Sequence, residues 1–198
     1  MIVKVCGITN RVDALLAVEA GASALGFNFY PRSPRYLEPE QAARIVESVP
    51  VTVWKVGVFV NESPARVVEI TRLAGLDIAQ LHGDETPEAI PDGVRCWKAM
   101  SVGAAFSLDV LDAFPVEAFL LDAPANGQYG GTGRSFDWSL ARGSRHKIVL
   151  AGGLDASNVR AAIEAAQPWG VDACSRLESA PGRKDPVRVR AFVRAACQ

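Results

Sequence analysis

The sequence predicts an α/β protein in which strands and helices alternate and close into a barrel. Two observations support this prediction: short aliphatic runs alternate with amphipathic stretches along the whole chain, and the runs number eight. Continuous alternation is compatible with an open doubly wound sheet or a closed barrel, and eight repeats favour the barrel. We therefore expect a single compact (β/α)8 TIM barrel spanning residues 1–198.

The eight predicted strands are rich in Val, Ile, Leu and Ala. They are Ile2 to Cys6, Ala24 to Phe29, Val53 to Val60, Ile78 to His82, Cys96 to Met100, Ala118 to Asp122, Lys147 to Ala151 and Val171 to Ser175. The 198 residues leave each strand–helix unit about 25 residues, which is near the small end for this fold.

Helix-forming stretches follow each strand. They are Arg11 to Ala20, Pro39 to Val49, Pro64 to Ala74, Thr86 to Ile90, Val102 to Phe114, Trp138 to Ala141, Ser157 to Ala166 and Pro186 to Cys197. Asn10, Ser63, Thr86 and Asp185 precede four of them and are suited to cap a helix. The fourth and sixth stretches are short, so we expect shortened helices there.

The composition is that of an ordinary globular protein. Hydrophobic residues make up 49% and charged residues 22%, and the net charge of -1 provides no positive field for nucleic acid. No apolar run approaches the roughly 20 residues that cross a bilayer, and no secretory signal pattern is present, so we expect a cytoplasmic protein without membrane partners. The four cysteines lack CxxC or zinc-like spacing, which indicates neither a disulfide framework nor a metal site.

Polar residues collect where the predicted strands end. They are Cys6, Asn28, Arg35, Gln80, His82, Asp122, Gly152, Gly153 and Ser175. Reacting groups in such barrels stand at the carboxyl ends of the strands. Alternation of side chains along each strand lets Cys6, His82 and Asp122 converge on one mouth. A buried cysteine is more often a small apolar filler, and an aspartate at a strand end can instead cap a loop.

A series of motifs in barrel order gives the chain a family resemblance. The motifs are KVCGIT at 4–9, FYPRSPR at 29–35, VGVFVN at 56–61, QLHG at 80–83, LD at 121–122, GGTG at 130–133, AGGL at 151–154 and GRKD at 182–185. Together they resemble the phosphoribosylanthranilate isomerase family of tryptophan biosynthesis, and the match covers nearly the whole chain.

The resemblance implies an Amadori rearrangement of a phosphoribosyl substrate without a metal or organic cofactor. Carried over to this sequence, Asp122 would be the general acid that assists opening of the ribose ring, and Cys6 the general base that takes the proton from C2. Related sugar-phosphate isomerases of histidine biosynthesis would carry a carboxylate on the first strand, where this chain has Cys6. A non-catalytic phosphosugar-binding barrel would leave Cys6 and Asp122 unexplained.

Substrate contacts are also implied by the resemblance. Arg35 would bind the anthranilate carboxylate through two parallel hydrogen bonds, unless it is a surface arginine. His82 either positions the substrate or anchors its loop. A glycine-rich loop at 126–133 follows the sixth strand and is either a mobile cover or a long connection. We expect a monomer, with a homodimer as the alternative.

The phosphate site departs from the family pattern. Gly152, Gly153 and Ser175 are the candidate phosphate contacts, since backbone N–H groups of glycine loops approach anions closely. Where the family usually has two serines and a glycine, this chain has Cys174, Ser175 and Arg176. Arg176 either occludes the cradle or binds the phosphate directly, and bidentate geometry favours binding. Cys174 also lies on a strand adjacent to Cys6, which raises the hypothesis of a disulfide.

Overall fold

A computed structural model of the chain describes residues 1–103, 105–124 and 136–198, and it contains a closed barrel of eight parallel strands. Each strand pairs with the next, and the first closes against the eighth. The strands are β1 (Ile2–Val5), β2 (Ala24–Asn28), β3 (Trp54–Phe59), β4 (Ile78–Leu81), β5 (Cys96–Ser101), β6 (Ala118–Asp122), β7 (Ile148–Leu150) and β8 (Gly170–Ala173). The predicted (β/α)8 barrel is confirmed.

Five α-helices are present among the described residues. They are α1 (Arg11–Glu19), α2 (Pro39–Val46), α3 (Pro64–Leu73), α4 (Val159–Ala166) and α5 (Pro186–Cys197). Asn10, Ser63 and Asp185 cap α1, α3 and α5 as expected, whereas the Thr86 side chain hydrogen bonds to Glu88. Within the described residues, none of the helices combines the length and the apolar character that spanning a membrane requires.

Three connections contain 3₁₀ turns in place of α-helices. The fourth and sixth are Pro87–Ala89 and Trp138–Ala141, as the short stretches predicted. The prediction of a full fifth helix from Val102 to Phe114 is wrong, because among the described residues of this stretch Leu108–Ala113 alone is helical, and it is a 3₁₀ helix. Ser107 caps it by accepting a hydrogen bond from the Asp109 N–H. Gly103 disfavours helix near the start of the predicted stretch.

Strand parity separates two layers of the core. Val3 and Val5 of β1 face the helices, while Leu120 of β6 belongs to the barrel interior, as alternation predicts. At the amino-terminal end of the barrel, Trp97 packs edge-on against Trp169 with 5.7 Å between ring centroids. The interior is therefore filled at that end, and the opposite end is left for the site.

An antiparallel hairpin after β8 was not predicted. It consists of β9 (Glu178–Ala180) and β10 (Arg183–Lys184), joined by a turn in which Gly182 has a φ of 75°. A positive φ favours glycine, and Pro181-Gly182 is a common turn sequence. The hairpin places Glu178 and Lys184 beside the mouth of the barrel.

Candidate active site

A pocket opens at the carboxyl ends of the strands. Its lining includes every residue that the sequence singled out as catalytic or substrate-binding, namely Cys6, Arg35, His82, Asp122, Gly152, Gly153, Ser175 and Arg176. Because these residues come from six different parts of the chain, the closed barrel is what brings them together.

Cys6 follows β1 at the floor of this pocket and is 8% exposed. Its backbone N–H donates to the Ala173 carbonyl oxygen of β8 at 2.9 Å, which fixes the backbone at the strand end. A hydrogen bond from the Cys174 thiol lowers the pKa of Cys6 well below its ordinary value; burial opposes this effect, and the positive charges of Lys4 and Lys184 assist it. The lowered pKa favours the thiolate more than in an ordinary cysteine.

Lys4 and Asp172 form a buried ion pair beneath Cys6, with Nζ and Oδ1 3.0 Å apart. Lys4 is fully buried, yet attraction to Asp172 and Cys6 outweighs the effect of burial and raises its pKa. Burial raises the pKa of Asp172 to about 7, although Lys4 opposes this rise. The single positive charge of Lys4 thus interacts with both the Asp172 carboxylate and the Cys6 sulfur.

Asp122 ends β6 and lies beside His82 of the β4 loop. Its Oδ1 accepts a hydrogen bond from the Ala123 N–H at 2.8 Å, and its Oδ2 lies 3.4 Å from His82 Nε2. The Gln80 amide donates to His82 Nδ1 at 2.9 Å, which leaves the ring proton on Nε2, facing Asp122. His82 therefore contacts the aspartate and lines the pocket at the same time.

Arg35 is engaged within the protein itself. Its Nε and Nη2 donate to the two carboxylate oxygens of Glu178 at 2.8 and 2.7 Å, and Lys184 Nζ lies 3.0 Å from the same carboxylate. A guanidinium has five N–H donors, so the edge formed by Nη1 and the second hydrogen of Nη2 is not used by Glu178. The side chain is fixed with that edge available to a ligand.

Gly152 and Gly153 follow β7 with φ values of 81° and 65°, a region that favours glycine. A methyl group at Gly152 would come within 2.9 Å of the Ala123 nitrogen and 3.0 Å of Asp122 Oδ1. Gly152 is therefore needed for close packing against Asp122, a reason that the sequence did not indicate.

Ser175 begins a 3₁₀ turn, Ser175–Leu177, directly after Cys174. Within this turn, Arg176 is about half exposed and its Nη1 lies 3.0 Å from Asp155 Oδ2. Arg176 lines the same pocket as Gly152 and Gly153.

Four charged residues close to Cys6 or Arg35 were not proposed as functional from the sequence: Lys4, Asp172, Glu178 and Lys184. Parity along β1 and β8 put Lys4 and Asp172 on the inward face, so that signal was available. No sequence signal paired Glu178 with Arg35, which lies 143 residues away along the chain. The glycine-rich loop at 126–133 that we interpreted as a cover lies outside the described residues.

Comparison with known proteins gives the family. The model of the family described as "N-(5'phosphoribosyl)anthranilate (PRA) isomerase" matches residues 3–195. This chain belongs to that family. It is a PRA isomerase of tryptophan biosynthesis and catalyses the Amadori rearrangement of N-(5-phosphoribosyl)anthranilate to 1-(2-carboxyphenylamino)-1-deoxyribulose 5-phosphate.

Relatives match along their full lengths. The N-(5'-phosphoribosyl)anthranilate isomerase of Solibacter usitatus (strain Ellin6076) is 57% identical over 196 residues, covering 99% of this chain and 97% of that protein. The enzyme of Pelobacter propionicus is 50% identical, covering 98% of this chain and 94% of that protein.

Solved structures of the family have the same architecture. Phosphoribosyl anthranilate isomerase from Thermus thermophilus superposes with a TM-score of 0.90 at 35% identity, covering 100% of this chain and 98% of that one. A PRA isomerase in complex with reduced 1-(o-carboxyphenylamino)-1-deoxyribulose 5-phosphate has a TM-score of 0.86 at 39% identity, covering 100% and 99%.

Proposed function

We propose that PRA isomerisation in this protein is performed by Asp122 as general acid and Cys6 as general base. The observation that supports this proposal most strongly is that the two side chains, from β6 and β1, line one pocket at the same end of the barrel. A sugar held between them can receive a proton on one side and lose a proton on the other.

Two proton movements lead to the enolamine. Asp122 donates a proton to the ring oxygen as the C1–O bond breaks, and the nitrogen lone pair forms the protonated Schiff base. Cys6 then takes the proton from C2, the C2–H electrons form the C1=C2 bond, and the C=N electrons return to nitrogen to give the enolamine. The enolamine tautomerises to the ketone when C1 gains a proton and the C2 hydroxyl loses one. The lowered pKa of Cys6 suits the second step, because it increases the fraction of thiolate present before the substrate binds.

Arg35 is the proposed partner of the anthranilate carboxylate. Glu178 holds one edge of the guanidinium, and the remaining edge can still form two parallel hydrogen bonds to a carboxylate. Glu178 therefore serves as a positioning group, since it removes the rotational freedom that Arg35 would otherwise lose on binding. His82 is proposed to contact the substrate from its place beside Asp122.

The phosphate is proposed to lie against the loops after β7 and β8. Gly152, Gly153 and Ser175 would supply backbone N–H groups, and Arg176 would add a charge-assisted contact from the rim. Arg176 would then exchange or share its ion pair with Asp155, which has a pKa lowered by hydrogen bonds from Ser157 and Arg176 against the opposing effect of burial.

The setting of the enzyme follows from its charge and exposed surface. We propose a cytoplasmic protein acting on a small phosphoribosyl substrate, with no nucleic acid or membrane partner, because the net charge is -1. Its more exposed valines, Val12, Val51 and Val187, lie on separate elements, which supports a monomer, with a homodimer as the alternative. Sedimentation at micromolar concentration tests the oligomeric state.

Turnover of Cys6→Ala and Asp122→Asn tests the assignment. Each is expected to lower kcat by at least about 100-fold, because proton transfer by a positioned group contributes roughly 10²- to 10⁴-fold. The conversion is followed by loss of substrate fluorescence, with circular dichroism as the folding control.

Matched controls separate chemistry from packing. Cys96→Ala removes a buried thiol that lies outside the pocket, and Asp77→Asn removes a carboxylate that pairs with Lys55. Both should keep near-normal kcat. A folded Cys6→Ala or Asp122→Asn variant with near wild-type turnover would overturn the corresponding role.

A further inference from the structure

Cys6 and Cys174 stand side by side at the ends of neighbouring strands. The register of β1 and β8 pairs Val5 with Ala173, so the next residue on each strand is a cysteine. Both cysteines are free thiols, and both line the pocket. Cys174 has no place in the proton transfers assigned above, although it lies beside the proposed base.

Two glycines limit the positions of the sulfur atoms. A methyl group at Gly26 of β2 would come within 2.5 Å of Cys6 Sγ, and one at Gly7 would come within 2.8 Å of Cys174 Sγ. Each sulfur therefore packs against bare backbone on a neighbouring segment. This close packing restricts rotation of the side chains away from each other.

Charged groups surround the pair on every side. Cys6 is faced by Lys4 of β1, Asp172 and Cys174 of β8, Lys184 of β10 and Arg35 of the β2 loop. Lys4 and Lys184 differ in their contacts with the two sulfurs. Lys184 Nζ donates hydrogen bonds to the Glu178 carboxylate at 3.0 Å and to the Cys174 carbonyl oxygen at 3.2 Å. Its Nζ is 4.0 Å from Cys174 Sγ.

The hydrogen bond between the thiols has a direction. It lowers the pKa of Cys6 and raises the pKa of Cys174, and burial further raises that of Cys174. Both shifts favour Cys174 as the donor and Cys6 as the acceptor, and the register of β1 and β8 places the two residues next to each other.

We propose that Cys174 is a positioning residue for the isomerisation: its thiol donates a hydrogen bond to the Cys6 sulfur and holds Cys6 as the thiolate that takes the substrate proton. This inference rests on the proposed role of Cys6 as general base. A serine, which the family usually has at this position, also offers a donor, so the arrangement requires a donor rather than a sulfur atom.

Two substitutions at Cys174 separate donation from packing. Cys174→Ala removes the donor, and Cys174→Ser keeps one. A hydrogen bond to a charged group contributes roughly 1.5–3 kcal/mol, equivalent to a pKa shift of about one to two units. In Cys174→Ala we expect the Cys6 pKa and the acid limb of kcat/KM to move up by that amount, whereas Cys174→Ser retains most of the wild-type profile.

The primary readout is the rate of Cys6 alkylation by iodoacetamide between pH 5 and 10, measured by mass spectrometry of the Cys6 peptide. Cys96→Ala is the control and should leave the profile unchanged. Should Cys174→Ala fold poorly by circular dichroism, Cys174→Val supplies a donor-free side chain of similar volume. Recovery of kcat/KM at high pH in the donor-free variant supports positioning, since a purely structural defect would persist at every pH.

The outcomes distinguish the role of Cys174 from the role of Cys6. Identical alkylation profiles in wild type and the donor-free variant overturn the role of Cys174, even if Cys6→Ala is inactive. A shifted alkylation profile without a shift of kcat/KM also overturns it as a positioning residue for the reaction. Near-normal turnover of Cys6→Ala instead overturns the proposed base, because the alkylation profile is read without turnover.

Discussion

A single buried lysine helps to explain how a cysteine can act as a base near neutral pH. Lys4 lies two residues before Cys6, on the same face of β1, and is fully buried against Asp172. Since the medium around it is poorly polarisable, its charge acts on Cys6 more strongly than a surface lysine would. The pKa of Asp172 is about 7, and the negative charge of its carboxylate weakens the effect of Lys4 on Cys6 as that carboxylate forms.

Arg176 is the residue at which this chain departs from the phosphate site of its family. Its guanidinium lies at the rim and pairs with Asp155. We expect Arg176→Gly to weaken binding of a ribulose phosphate analogue by about 10- to 150-fold, because one hydrogen bond to a charged group is worth roughly 1.5–3 kcal/mol. Isothermal titration calorimetry measures this loss.

A control for the arginine substitution is available away from the pocket. Arg145→Gly removes an exposed arginine that pairs with Asp112, lies outside the helices and is not part of the pocket lining. It should leave the affinity unchanged. Tighter binding by Arg176→Gly would mean that the side chain occludes the cradle rather than contacting the phosphate.

Secondary-structure elements were predictable where side-chain periodicity carried the signal. β6, Ala118–Asp122, and α5, Pro186–Cys197, have the predicted bounds because alternation, proline and a capping aspartate mark them. The fifth helix was over-predicted, since the helical periodicity does not distinguish a longer α-helix from the 3₁₀ helix that begins after the Ser107 cap.

The unpredicted hairpin accounts for two of the charged residues that sequence analysis missed, Glu178 and Lys184. Strand parity placed Cys6 and Asp122 at one mouth, because it depends only on local alternation and barrel closure. The contacts of Glu178 and Lys184 depend on how β9 and β10 fold back toward the β2 loop. Such long-range side-chain pairing leaves no periodic trace in a single sequence.

At the scale of the whole molecule, stability and chemistry occupy opposite ends of the barrel. Trp54, Trp97 and Trp169 fill the amino-terminal end, with ring centroids 5.7 to 6.1 Å apart. The carboxyl-terminal end instead contains buried charges, which are costly to desolvate. The closed barrel places these charges at its mouth, where the substrate binds.

The buried carboxyl group of Asp172 makes the stability of the whole protein depend on pH. Its pKa of about 7 lies above the ordinary 3.8, so the folded state binds the proton more tightly than the unfolded state. This contribution to the free energy of unfolding is fully present below pH 3.8 and is lost as pH rises through 7. The loss is on the order of 4 kcal/mol.

Chemical denaturation of wild type and Asp172→Asn between pH 4 and 8 measures this dependence. As pH rises, the wild type should lose the contribution of Asp172 to its free energy of unfolding. The variant should not lose it, because asparagine does not ionise. Asp77→Asn, at a half-exposed carboxylate outside the pocket, is the control and should track the wild type. Parallel curves for Asp172→Asn would contradict a neutral-range titration of this group.

The most direct test of the account is a crystal structure of this protein with the reduced product analogue 1-(o-carboxyphenylamino)-1-deoxyribulose 5-phosphate. We expect Cys6 Sγ within about 4 Å of C2, in van der Waals contact, and an Asp122 oxygen within about 2.6–3.2 Å of the hydroxyl derived from the ring oxygen. An analogue bound in the pocket with either side chain facing away from those atoms would contradict the proposed pairing of acid and base.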